Sequence, residues 1–209
     1  MRCIYCDKPI DKISIATLFL EEDKLCVNCR NRLKLNRKQV NIGSLKVDTL
    51  YNYDGIFKEL LIQYKECYDE ALAPVFLYLL KTVIMLKYWG YKIVFVPSSK
   101  QKLEKRGFNH LELIFKDVQL NIVKGLKMKS EIVQEGKNLS QRRAMVDNYI
   151  YEGEKINKVL IVDDVLTSGS SINGVYKAIY PYAKRVKALA LARKENAFIE
   201  NKKCDRINS

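Results

Sequence analysis

No apolar run in this 209-residue chain is long enough to cross a bilayer. The most apolar stretch, Ala71 to Leu86, is interrupted by Pro74 and Lys81 and falls short of the ~20 residues a spanning helix needs. Cys3 follows Met1 almost at once, with no apolar segment of the signal-peptide kind. These absences lead us to expect a cytoplasmic protein with no membrane insertion and with reduced cysteines. Acids are also scarce: 24 Asp and Glu stand against 37 Lys and Arg, a formal charge of +13. Such a surface suits a polyanion, whether nucleic acid or a phosphorylated ligand, although basic charge alone names neither. Histidine occurs once, at His110, with no acid or nucleophile beside it in sequence. The expectation there is a helix-face residue without a catalytic role. A hydrophobic content of 48% is enough for a packed core, which excludes a disordered chain. The length fits one ordinary domain plus a small appendage.

What is present is concentrated after residue 158. Val159 to Val162 reads as a buried parallel strand, followed by the adjacent carboxylates Asp163 and Asp164. Val165, Leu166, Thr167, Ser168, Gly169, Ser170 and Ser171 then form a small-residue bend before a helical pattern that Pro181 stops. A strand that ends in such a bend at a helix N-terminus cradles phosphate, because free backbone N–H groups and the helix dipole favour an anion. The two acids cannot face that phosphate. As acceptor-only groups they suit the vicinal hydroxyls of a ribose. No Gly-Lys-Ser/Thr follows the glycine, which excludes a Walker A loop.

Cys3-x-x-Cys6 and Cys26-x-x-Cys29 have zinc-ribbon spacing. Two such turns present four sulfurs to one centre and leave no open position, so the expected Zn²⁺ is structural. Two disulfides are the alternative, disfavoured in a reducing compartment. The basic run after Cys29 fits either a nucleic-acid contact or a solvated helix face. Cys67 and Cys204 lack a CxxC partner and read as ordinary thiols.

Between these ends, Val47 to Tyr53 alternates as a strand and Ile56 to Lys65 has helical spacing. A longer helical pattern runs from 71 to 88, with Leu72, Phe76, Leu79, Leu80 and Val83 inward. Lys92 to Val96 reads as a second buried strand. It leads into Ser98, Ser99, Lys100, Lys102 and Arg106, a cationic turn suited to a pyrophosphate. Residues 124–148 turn polar and basic, as in a mobile lid carrying Lys137, Arg142 and Arg143, or in a plain surface insertion. Arg185 to Ala192 reads as the last buried strand, with a frayed tail from 194.

The Asp163-Asp164 segment resembles the phosphoribosyl-pyrophosphate (PRPP) loop of type I phosphoribosyltransferases. The whole order of parts is similar to the ComF family of competence proteins. It runs from the four cysteines, through Tyr51 to Gly55 with Lys58 and Lys65, and Val96 to Ser99 with Arg106 to Asn109, to Asp163, Asp164 and Thr167 to Gly169. Two departures stand out: His110 replaces an expected Gln, and Arg142 and Arg143 are adjacent where that family has an acid before its Arg.

The resemblance implies an α/β fold, a doubly wound and mostly parallel sheet of the type I phosphoribosyltransferase kind with a small zinc-ribbon-like module. It implies a division into residues 1–42 (zinc module) and 43–209 (phosphoribosyltransferase-like domain). Asp163 and Asp164 would take the ribose, Val165 to Ser171 the 5′-phosphate, and Mg²⁺ would accompany PRPP. The implied role is DNA uptake in natural transformation, handling incoming single-stranded DNA alongside a helicase-like partner. Two alternatives stay open: an active phosphoribosyltransferase with an unknown acceptor, and a zinc-ribbon adaptor with a vestigial PRPP site.

Overall fold

The computed structural model describes residues 1–10, 23–129 and 148–195. At its centre lies a five-stranded sheet. β1 (Lys38–Ile42) and β2 (Leu45–Asn52) form an antiparallel edge hairpin. β3 (Lys92–Phe95), β6 (Ile156–Leu166) and β7 (Ala183–Arg193) complete the order β1-β2-β7-β6-β3. Every pairing after the hairpin is parallel. A small antiparallel pair, β4 (Leu126–Met128) and β5 (Tyr149–Tyr151), stands apart. The division between residues 42 and 43 therefore falls at the turn of the edge hairpin, and β1 is part of the main sheet.

The middle strands are apolar on both faces because both are covered. On one face Leu160, Val162, Leu189 and Leu191 pack against α2 (Gly55–Glu66), α3 (Ala73–Phe76), α4 (Lys81–Lys87) and α6 (His110–Ile114). The short helix α5 (Lys100–Arg106) precedes α6. On the other face Val159, Ile161, Ala188 and Ala190 pack against α7 (Ser170–Ile179) and β5. This is the doubly wound, mostly parallel α/β architecture that the strand pattern predicts. Among the described residues no helix is long and apolar enough to cross a membrane.

The cysteine segment shares the first of these cores. Cys3, Leu25, Cys26, Cys29 and Leu33 are buried with Phe57, Leu60 and Phe76. α1 (Val27–Arg32) carries Arg30, whose Nη1 donates to the Val75 carbonyl at 3.1 Å while its Nε donates to Asp23 at 2.6 Å.

That contact bears on one correction. The helix expected over 71–88 is two short helices joined by a turn, preceded by a 3-10 turn at Glu70–Leu72. The Val75 carbonyl is taken by Arg30, and the Phe76 carbonyl accepts from the Tyr51 hydroxyl at 3.0 Å. Both acceptors are thus served from outside the helix. Leu79 then adopts a left-handed φ of 61°, which a continuous helix does not tolerate. The break turns Leu79 and Val83 out to solvent, where the sequence pattern places them inside.

Candidate functional site

The two anion-binding bends expected from the sequence leave adjacent parallel strands at the same edge. Phe95 is the register partner of Val162, and the Val96 N–H donates to the Val162 carbonyl at 2.9 Å. The turn at Pro97–Ser99 therefore departs beside Asp163. Ligands of open α/β sheets bind at this carboxyl edge. After β6 the chain bends through Thr167 and Ser168 to Gly169, the N-cap of α7, at φ +77°. A side chain there is excluded twice: by the left-handed φ, and because a Cβ would meet the Ile42 Cδ1 at 2.2 Å. The Ser168 and Ser170 hydroxyls lie 3.0 Å apart, and the Ser170 N–H donates to Ser168 Oγ at 3.4 Å. Tyr149 on β5 lies beside Ser171 and close enough to Asp163 for its charge, after burial, to raise the phenol's pKa.

The acids are not equivalent. Asp164 is ion-paired through Oδ2 with Lys65 of α2, and the same oxygen accepts from His110 Nε2 at 2.8 Å. Burial works to raise its carboxyl, but His110 and Lys65 outweigh it and hold the group well below the usual carboxylate range. Among the described residues no cation is ion-paired with Asp163, although the Lys65 charge also reaches it. Its Oδ1 accepts from the Asp164 N–H at 2.9 Å. Burial, followed by the neighbouring Asp164 charge, pushes Asp163 up to about 7. One carboxylate is thus locked ionised, while the other is poised between its two forms near neutral pH.

His110 departs most from its expected place. Rather than an idle face residue, it is buried and links two charged side chains. Burial, with Lys65 and Arg106 nearby, lowers its pKa against the pull of Asp164, which favours the neutral ring. An ionised Asp164 accepts only, so Nε2 carries the proton. Nδ1 is then the acceptor for Arg106 Nη1 at 2.9 Å. A glutamine would present the same acceptor and donor. The Asn109 side chain caps α6 by accepting from the Leu111 and Glu112 N–H groups, and this fixes where His110 begins the helix.

Arg106, grouped by sequence with the pyrophosphate cations, is buried. Its guanidinium is occupied by His110 and, at 3.3 Å, by the Lys65 carbonyl. Of the same group, Ser98 and Ser99 are half-buried, and Lys100 and Lys102 are exposed in the first turn of α5. The lid residues Lys137, Arg142 and Arg143 lie outside the described residues, as does Cys204. Lys65 is the partner of Asp164 that strand-and-loop reasoning does not reach: it lies on α2, and only the fold brings it to the acid.

At the other end of the chain the Sγ atoms of Cys3, Cys6, Cys26 and Cys29 all lie within 4.8 Å of one another. Cys6 and Cys26 sulfurs are 3.7 Å apart, which matches the ~3.8 Å edge of a tetrahedron built on Zn–S bonds of about 2.3 Å. Such a thiol set fits Zn²⁺, and four protein ligands leave it no catalytic position. Cys67 is exposed and apart from this group.

No family model matches the chain. It is 31% identical over 147 residues to competence protein ComFC of Streptococcus pneumoniae, across 69% of this chain and 66% of that protein, just under two thirds. Two solved structures show weak likeness. One is a hypoxanthine phosphoribosyltransferase from Staphylococcus aureus (14% identity, TM-score 0.39, 61% of this chain and 66% of that one). The other is an adenine phosphoribosyltransferase from Leishmania tarentolae (10% identity, TM-score 0.37, 76% and 95%).

Proposed function

The chain belongs to the ComF family of competence proteins, and from that premise we propose that it serves natural transformation by binding PRPP at the carboxyl edge of its sheet while handling single-stranded DNA. The observation that carries the PRPP part is the Asp163–Asp164 pair at the end of β6, followed directly by the Gly169 bend at the N-terminus of α7. In this reading both acids accept from the ribose hydroxyls. The N–H groups and hydroxyls of Val165 to Ser171 hold the 5′-phosphate. Ser98, Ser99, Lys100 and Lys102, on the neighbouring strand's bend, face the pyrophosphate. Arg106 acts from behind, orienting His110, which in turn holds Asp164. Mg²⁺, bound with PRPP, would supply charge neutralisation of the pyrophosphate. The Cys₄ site staples the N-terminal segment to the core with Zn²⁺. The +13 charge supports strand binding through phosphates, and a helicase-like competence protein is the proposed partner.

Calorimetry with PRPP and Mg²⁺ tests the first part. Saturable binding that is lost in Asp163→Asn/Asp164→Asn supports it, and unchanged affinity in that variant refutes it. Release of pyrophosphate on addition of nucleobases would turn the binding protein into a transferase. Complementing a deletion strain with the double variant tests whether transformation depends on the site.

A further inference from the structure

The amino end of the same sheet, about 17 Å along β6 from the acid pair (five residues from Lys158 to Asp163 at ~3.3 Å each), carries a second cluster that the ligand site does not use. Lys158 of β6 and Lys187 of β7 point to the same face as Leu160 and Leu189, and both ammonium groups lie over one ring. Lys158 Nζ is 5.7 Å and Lys187 Nζ 5.4 Å from the Tyr91 centroid. Lys187 also lies 5.8 Å from the Tyr88 ring, which Lys87 approaches from its other neighbourhood at 5.5 Å. Arg185, the register partner of Lys158, extends the row and is exposed.

Charge on this face is one-sided. Among the described residues the carboxylate paired with this cluster is Asp48, engaged by Lys87 at 2.8 Å and by the Tyr88 hydroxyl at 2.5 Å. Among the described residues, Lys158, Arg185 and Lys187 have no carboxylate partner. Cations gathered without counter-charge repel one another, and an arriving anion relieves that repulsion.

The cluster also has a stacking surface. Trp89, the sole tryptophan, is 72% exposed in the turn between α4 and β3. Lys158 lies beneath that turn, its Nζ 3.7 Å from where a Cβ on Gly90 would sit. Lys87 and Tyr88 continue into a groove of about 230 Å³ between α4 and the edge hairpin, whose rim adds Arg37 and Lys38. An exposed indole in the turn above Lys158, with a cation-rimmed groove nearby, matches what a single strand presents: open base faces and a phosphate on every nucleotide. Duplex DNA hides its base faces and has no use for the indole.

Resting on the DNA-handling reading above, we propose that this amino-edge surface is where single-stranded DNA binds. Bases stack on Trp89, and phosphates lie along Lys87, Lys158, Arg185 and Lys187. The strand and the ribose phosphate site then occupy opposite edges of one sheet, and both are open at once.

The test uses the full chain and a dT20 oligonucleotide, followed by fluorescence anisotropy and by quenching of the single tryptophan. Binding with quenching of Trp89 is expected. Trp89→Ala should weaken it roughly 5- to 150-fold, the range of one base–aromatic stack. Lys158→Gln/Lys187→Gln should flatten the slope of log K against log salt by about 1.4, two phosphates at about 0.7 each. Unchanged far-UV circular dichroism and melting confirm that the variants fold. If dT20 binds but Trp89 is not quenched and both variants bind as the wild type does, the location is wrong and DNA handling stands. If dT20 does not bind even at low salt, DNA handling itself fails and this inference with it. Quenching by anionic phosphatidylglycerol vesicles but not by dT20 would reassign the surface to membranes and overturn the proposal.

Discussion

Asp163→Asn separates ligand binding from stability, because the same desolvation that poises this acid also burdens the fold. In the native chain its carboxyl is pushed from 3.8 up to about 7, first by burial and then by the charge of Asp164. Between those two pH values the folded protein holds a proton that the unfolded chain has released. Stability contributed by Asp163 therefore falls as pH rises from about 4 and reaches its full deficit above 7. The ceiling of that deficit is about 4 kcal/mol. The side chain is only half-buried, and solvent screening reduces the figure to about 1–2 kcal/mol. Asparagine keeps an oxygen to accept the Asp164 N–H and does not ionise. The variant should match wild type in urea unfolding near pH 4 and exceed it by about 1–2 kcal/mol at pH 8. In melting, that is a rise of roughly 2–8 °C for a chain of this size. Asp164 titrates in both proteins with the opposite sign: its stabilisation is present above its ordinary range and lost in acid, so it largely cancels in the comparison. PRPP affinity should fall in the same variant. A variant no more stable at pH 8, or equally stabilised at pH 4 and pH 8, would refute the reasoning.

Three other outcomes follow from named contacts. His110→Gln, which keeps an acceptor for Arg106 and a donor for Asp164, should unfold within about 1 kcal/mol of wild type, whereas His110→Ala should lose about 1–3 kcal/mol in urea titration. Gly169→Ala should destabilise by about 1–3 kcal/mol, and adding Ile42→Ala should restore only the part due to collision, since the left-handed φ remains. Elemental analysis should find one zinc per chain. Cys29→Ser or a strong chelator should loosen α2 as well as the N-terminal segment, read by hydrogen exchange at Phe57 and Leu60, because they share a core.

Strands β3, β6 and β7, helices α2 and α7, and the Gly169 bend were legible because their signals are local. They are runs of branched residues, 3.6-residue spacing, and small residues at a strand end. The cysteine cluster was legible for the same reason: two CxxC turns carry their own geometry. What escaped depends on distant partners. The helix over 71–88 breaks where Tyr51 and Arg30 reach in from other elements to take carbonyls, and no periodicity records that. His110 has no acid beside it in sequence, and its partner Asp164 is 54 residues away. Arg106 reads as one more cation in a basic turn until α5 and α6 fold it inward against His110. The acids at 163 and 164 look like a matched pair in sequence, and only the arrival of Lys65 and His110 on one of them makes the pair unequal.

A crystal of the full chain soaked with PRPP and Mg²⁺ tests the central claim most directly. The expected density has the 5′-phosphate against the N–H groups of Thr167 to Ser171 and the ribose hydroxyls on Asp163 and Asp164. A pentose bound anywhere else, or a Gly169 bend left empty at saturating ligand, would contradict that claim.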